Sequence, residues 1–349
     1  MARDLRLGLN TGYWGAGPPH GAPEAIAVAD ELGFDSIWTA EAYGSDALTP
    51  LAWWGSATRN VRLGTAIMQM SARRPTATAM AALTMDHLSG GRFILGLGVS
   101  GPQVVEGWYG EPFAKPLART REYVQICRDA FARQAPITSD GPFYPLPLAE
   151  GEGVTGLGKA LKPTIHPVRE DIPIYLAAEG PKNIALSAEI ADGWMALFYS
   201  PHHEDLYRPQ LEEGFARPGA RRSLADFEIT ATVPLIVHDD VEAAADMIRP
   251  LYALYFGGMG AKGANFHADV PVRMGYADEI RRVQELYLEG HKQEAAAAVP
   301  TGLVEQLALI GPEAKIRHDL EAWRDSAVTT LLIGGDPATL RTAAELVLG

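Results

Sequence analysis

A single cysteine, Cys127, stands among 349 residues. That excludes an internal disulfide and a metal site built from several thiolates. No uncharged apolar run approaches the roughly 18 residues that a membrane-crossing helix needs. The opening Met1-Ala2-Arg3-Asp4 runs directly into a strand-like segment, without the apolar stretch of a secretory leader. These absences lead to the expectation of a cytoplasmic, soluble protein with no membrane contact. Positive charge is also scarce: 30 Lys and Arg stand against 43 Asp and Glu, a net charge of −13. Such a chain lacks the basic footprint that nucleic acid requires. An anionic ligand is still admissible, because N–H groups at a helix start bind anions locally.

What is present is a globular composition. Hydrophobic residues reach 47% and charged residues 21%, which excludes wholesale disorder. At about 150 residues per domain, the length allows one large domain or two ordinary ones. The pattern along the chain decides between them. Arg6-Leu7-Gly8-Leu9-Asn10 reads as a strand, and residues 23–32 as a helix with Pro23 near its start and Gly33 at its stop. Strand-like runs recur at 35–39, 61–67, 92–99, 174–178, 193–198, 227–237 and 328–333. Helical runs fall between them, at 46–59, 75–88, 117–134, 181–191, 202–215, 241–256 and 313–324, with 337–348 closing the chain. Pro234 marks a bulge or an end within the seventh strand.

Strands that alternate with helices pair in parallel through crossovers. Eight of them fit a (β/α)8 TIM barrel filling one domain, residues 1–349; a doubly wound open sheet is the alternative. Three excursions interrupt the rhythm, at about 100–116, 137–173 and 257–311. The middle one is expected to hold a hairpin or irregular structure, the last to contain a helix near 279–289. In a barrel they would cover the C-terminal face, where the active site lies.

The strand ends on that face hold few catalytic groups. No His-x-His follows the first strand, no carboxylate ends the fourth, and no lysine ends any strand. The lining is small, aromatic and apolar, which suits a cofactor that carries its own chemistry. Glu41, just past the second strand, is a carboxylate on the rim. It reads either as a ligand or acid–base group or as a solvated salt bridge.

Ala177-Ala178-Glu179-Gly180-Pro181-Lys182-Asn183 is a strand end, a glycine turn and a proline-opened helix. It suits a phosphate, although an ordinary βα turn is the more frequent reading of such a junction. Gly96-Leu97-Gly98-Val99-Ser100-Gly101 begins inside a strand and lacks a Gly-Lys-Ser/Thr ending, which favours close packing over a nucleotide loop. Arg73-Arg74 reads as a surface charge pair more readily than as an anion site. His202-His203 reads as a loop, Cys127 as a packed thiol and His87 as the close of the third helix.

Several of these segments together resemble a known family. They are Glu31-Leu32-Gly33-Phe34-Asp35-Ser36-Ile37-Trp38-Thr39-Ala40-Glu41, Leu63-Gly64-Thr65-Ala66-Ile67 with Arg74-Pro75, and Leu88-Ser89-Gly90-Gly91-Arg92. The closest segment runs through Ala-Ala-Glu-Gly-Pro-Lys-Asn to Ala191-Asp192-Gly193-Trp194. The sequence resembles the luciferase-like monooxygenase superfamily, in its coenzyme F420-dependent oxidoreductase branch. That resemblance implies a deazaflavin, or FMN in its place, with its ring in the barrel mouth. It implies a bulge at the end of the third strand with a cis peptide at Ala66–Ile67. It puts the cofactor phosphate on the turn formed by Ala178, Glu179, Gly180 and Pro181, with Ala177 among the cofactor contacts. Val99 and Ser100 would line the tail or ring edge, Asn10 would join the cofactor contacts, and Glu41 would bind or act as acid–base catalyst.

The resemblance implies hydride transfer with a small organic substrate, no metal, and a homodimer. Its alternatives are an FMN-dependent monooxygenase and a cofactor-binding protein without turnover. Two departures argue against sugar-phosphate oxidation. Ala42 stands where those relatives carry a catalytic histidine, and Tyr199-Ser200-Pro201 replaces their phosphate-binding lysine.

Overall fold

The computed structural model describes residues 4–260 and 265–349. Met1 to Arg3 of the N-terminal segment and residues 261–264 of the third excursion lie outside the described residues.

Short, largely buried runs become the strands. They are β1 (Arg6–Asn10), β2 (Ser36–Thr39), β3 (Arg62–Thr65), β4 (Met68–Gln69), β5 (Phe93–Gly98), β6 (Ile174–Ala177), β7 (Gly193–Ala196), β8 (Glu228–Thr232), β9 (Leu235–Val237), β10 (Leu309–Gly311) and β11 (Thr330–Ile333). All except β9 and β10 build one parallel barrel. β1 lies between β2 and β11, with Leu7 opposite Leu331, and the ring closes where Leu63 of β3 meets Phe93 of β5. The expected closed barrel is therefore present, and the open sheet is excluded.

Two expected strands are broken, each for a local reason. The third stops at Thr65 and resumes at Met68, with the Ala66–Ile67 peptide cis between the halves. The seventh breaks before Leu235, at Val233-Pro234, where proline brings no N–H to the ladder. Beyond that break β9 leaves the barrel and pairs with β10.

The helices are α1 (Ala22–Glu31), α2 (Leu48–Gly55), α3 (Pro75–Ser89), α4 (Pro102–Gly107), α5 (Pro116–Ala132), α6 (Pro181–Ile190), α7 (Arg208–Phe215), α8 (Val241–Ala253), α9 (Phe266–Arg273), α10 (Ala277–Leu288), α11 (Lys292–Ala297), α12 (Thr301–Leu307), α13 (Glu313–Asp325) and α14 (Pro337–Val347). Proline opens several of them, since its missing N–H has no partner in a first turn anyway. The excursions are more ordered than their punctuation suggests. The first contains α4, and the last is mostly helical, with Ile280, Val283 and Leu286 forming the buried stripe of α10. The middle one has a single antiparallel bridge, Ser139 to Leu146. It climbs α5, where Glu122 accepts the Phe143 N–H at 3.2 Å. It then returns to the base of β5, where Arg169 donates to the Phe93 carbonyl at 2.6 Å.

Two apolar clusters result. The larger lies between barrel and helices. The smaller fills the barrel interior with Trp38, Ile94, Tyr175, Met195 and Leu332. Glycines make room for it: a Cβ on Gly64 would lie 2.2 Å from the Trp38 ring, and one on Gly96 would strike the Thr65 carbonyl. The Gly96–Gly98 segment thus serves close packing, as its position within the strand predicts. Below this layer, charges close the base of the barrel. Arg62 donates to Asp35 at 2.6 Å and to both oxygens of Glu228 at 3.0 and 2.9 Å, and Arg6 also pairs with Glu228.

Candidate active site

Strand alternation decides which predicted residues face the mouth. Along β6, Tyr175 and Ala177 belong to the interior cluster, whereas Leu176 and Ala178 belong to the outer one. Along β5, Ile94 points inward, and Leu97 and Val99 pack outward. Gly98 offers no side chain to the interior, and a Cβ there would lie 2.7 Å from Ile67. The mouth floor is therefore Ala66, Ile67 and Ala177, half-buried above the Trp38–Tyr175 layer. Val99 and Ala178 do not join it through their side chains. Their sequence neighbours Ser100 and Glu179 begin the loops that edge it.

Asn10 ends β1 with its Oδ1 accepting the Gly12 N–H at 2.9 Å, which shapes the following turn. Ser100 adopts φ 59°, a left-handed conformation uncommon for a residue with a side chain. Glu41 is buried and fully engaged. Arg73 donates to both of its oxygens at 2.8 Å, and the Gln69 N–H donates to Oε2 at 2.9 Å. Arg73 is thus the partner of the rim carboxylate, where the sequence suggested a surface charge.

The turn from Ala178 to Pro181 is held from three sides. Trp194 Nε1 donates to the Ala178 carbonyl at 2.7 Å. Arg273 Nη2 donates to the Glu179 carbonyl at 2.7 Å. His267 Nδ1 lies 2.8 Å from Glu179 Oε1. Gly180 is the N-cap of α6 without any side-chain cap, and a Cβ added to it would meet nothing within 4 Å. The helix start is open, and its dipole favours an anion there. The Glu179 carboxylate, which would oppose one, is tied to His267 instead.

Sequence reasoning missed His267 and Arg273. Both sit on α9, about ninety positions from the turn they hold, and no local pattern marks them. Trp194 did carry a signal, in Ala191-Asp192-Gly193-Trp194. The rest of that motif is structural: Asp192 accepts the Ile174 N–H at 2.9 Å and pairs with Arg128 and Arg222. Cys127 is buried, as expected, and burial pushes its thiol pKa up. Among the described residues no His, Cys, Asp and Glu group is arranged to hold a metal. Burial also raises the phenol pKa values of Tyr199, Tyr207 and Tyr255 around this end of the barrel. The site has a flat apolar floor and one anion-ready turn. It can orient and shelter a planar group with a phosphate.

The sequence of the luciferase-like monooxygenase family matches residues 7–330. The chain belongs to that family. It is 58% identical to a Mycobacterium tuberculosis protein provisionally named a coenzyme F420-dependent oxidoreductase, over 99% of this chain and all of the relative. Its fold is like that of the coenzyme F420-dependent tetrahydromethanopterin reductase of Methanopyrus kandleri, with a TM-score of 0.80, 20% identity and 99% of both chains covered. It is also like an F420-dependent secondary alcohol dehydrogenase solved with an F420–acetone adduct, at a TM-score of 0.74, 17% identity and 98% coverage of both chains. At those identities the two structural likenesses concern the fold. Among the described residues no helix is long and apolar enough to cross a membrane.

Proposed function

We propose that the protein is an F420-dependent oxidoreductase that moves a hydride between a deazaflavin and a small organic substrate. The observation that carries this reading is the uncapped turn at Gly180 beside an apolar floor that offers no nucleophile. High identity to the mycobacterial relative over its whole length supports the choice of cofactor. The residues fit such a group, since the turn is open at Gly180 and the floor side chains, Ala66, Ile67 and Ala177, are apolar. A bound deazaflavin supplies two-electron hydride chemistry at carbon and reacts poorly with oxygen, which favours a reductase or dehydrogenase.

In this reading Ala66, Ile67 and Ala177 support one ring face and keep water from it. Ser100 borders the ring edge, and Asn10 holds the opposite rim. The N-terminus of α6 takes the phosphate, while Trp194, His267 and Arg273 keep the turn in shape. Glu41 serves as a positioning group, because its oxygens are committed to Arg73 and Gln69. The enzyme works as a single-domain homodimer in the cytoplasm, and light scattering tests the dimer.

Titration of the purified protein against F420 and FMN side by side tests the reading. Micromolar fluorescence quenching by F420 with much weaker FMN binding is expected; the reverse preference would assign the protein to an FMN-dependent branch. Reduced cofactor that stays unoxidised across a panel of enones, imines and ketones would mean binding without turnover. Gly180→Asp is expected to weaken F420 binding at least tenfold through repulsion of the phosphate. Unchanged affinity would remove the turn from the site.

A further inference from the structure

A cavity of about 180 Å³ lies beside the mouth and outside the barrel wall. The outward-facing Val99 forms part of its lining, with Met70, Val105 and Phe113. Arg73, Arg74 and Arg119 also line it. Arg73 is neutralised by Glu41. Arg74 and Arg119 have no carboxylate partner among the described residues. The Arg119 guanidinium lies 5.0 Å from the Phe143 ring centroid and close to Tyr144, another lining residue. Its Nε is buried without a hydrogen-bond partner, and so is the Oγ of Ser71 on the same wall. One carboxylate, Glu111, opposes these cations.

In a chain of net charge −13, where carboxylates outnumber cations, Arg74 and Arg119 face a cavity lined in part by Met70, Val99, Val105 and Phe113. A guanidinium in such surroundings gains most from a forked carboxylate, whose two oxygens match its parallel N–H groups. The overall charge repels anions, so any affinity for one must be local. We propose that this cavity is a subsite for the carboxylate of an organic anion with an apolar stem, with Arg74 and Arg119 as its counterions. The subsite goes beyond the redox reading and would bind a carboxylate whether or not a deazaflavin is present. The carboxylate has two sources, a substrate or the acidic tail of the cofactor.

Hexanoate and hexanol are the probes, titrated calorimetrically against the full-length protein without cofactor. Hexanoate is expected to bind at least tenfold more tightly than hexanol. Arg74→Gln combined with Arg119→Gln is expected to erase that preference, and Glu111→Gln to increase it. Equal binding of the two probes, or a preference untouched by the double variant, would overturn the subsite. Should the double variant unfold, Arg74→Gln alone serves, because Arg74 is exposed and makes no internal pair. Displacement of hexanoate by F420 with several terminal glutamates, but not by a form without them, would assign the subsite to the cofactor tail. Equal hexanoate binding with and without F420 would assign it to substrate. The comparison of hexanoate with hexanol needs no F420, so failure of the subsite and failure of the cofactor reading are separable.

Discussion

Ser100 sits in the left-handed region, where a Cβ crowds the backbone by roughly 1–2 kcal/mol. The two residues after it lead directly into α4, so its conformation sets how the first excursion leaves β5. Ser100→Gly removes the crowding and is expected to leave stability within about 0.5 kcal/mol or raise it. Ser100→Val adds β-branching to a positive φ and is expected to cost about 1–3 kcal/mol in a denaturant titration. A Ser100→Val protein as stable as the parent would show that the loop adapts. At this scale the sequence tells residue type well and orientation poorly. Glu41 stands out as a rim carboxylate from its place after a strand, yet nothing local reveals that Arg73 occupies it. Val99 and Ala178 were legible as strand-end residues. Which way they point depends on register within the barrel, and a one-residue shift reverses it.

Elements were easier to read than contacts. Proline at helix starts, glycine at stops and apolar runs between them marked the barrel strands, because those signals are local. The seventh strand even carried its own breakpoint at Pro234. The excursions were harder. Their helices α9 to α12 pack through residues scattered among polar ones, and the contacts of α9 with the Ala178–Pro181 turn exist only in three dimensions. The barrel interior gives an element-scale test. Gly64 faces the flank of Trp38 with no space for a methyl group. Gly64→Ala must displace the indole from its 2.8 Å hydrogen bond to Ser36 Oγ or bend β3, and overpacking of this kind costs about 1–3 kcal/mol. Thermal unfolding at an unchanged midpoint would contradict the tight packing of this layer. The same displacement would disturb the floor under Ala66 and Ile67, so cofactor affinity is expected to fall with stability.

For the molecule as a whole, the charged cluster at the base ties acid sensitivity to barrel closure. Burial alone would raise the Glu228 pKa. Arg62, with Arg6 beside it, outweighs burial and holds the carboxyl at about 2, below its usual 4.5. A depressed carboxylate contributes stability that is complete above pH 4.5 and is lost as pH falls from there to about 2. Allowing for the partial exposure of the cluster, that contribution is roughly 2 kcal/mol. Glu228→Gln is expected to lower stability at neutral pH by a similar amount, as Arg6 and Arg62 lose a partner. It should also flatten the decline of stability between those two pH values, measured by urea titration at a series of pH. An identical slope in both proteins would remove Glu228 from the acid response.

That ionic floor also fixes the way in. With Arg6, Arg62, Asp35 and Glu228 locked across one end and the Trp38 layer filling the tube above them, the barrel is a blind alley. A ligand therefore reaches Ala66, Ile67 and Ala177 from the opposite end, where the strands' C-termini open.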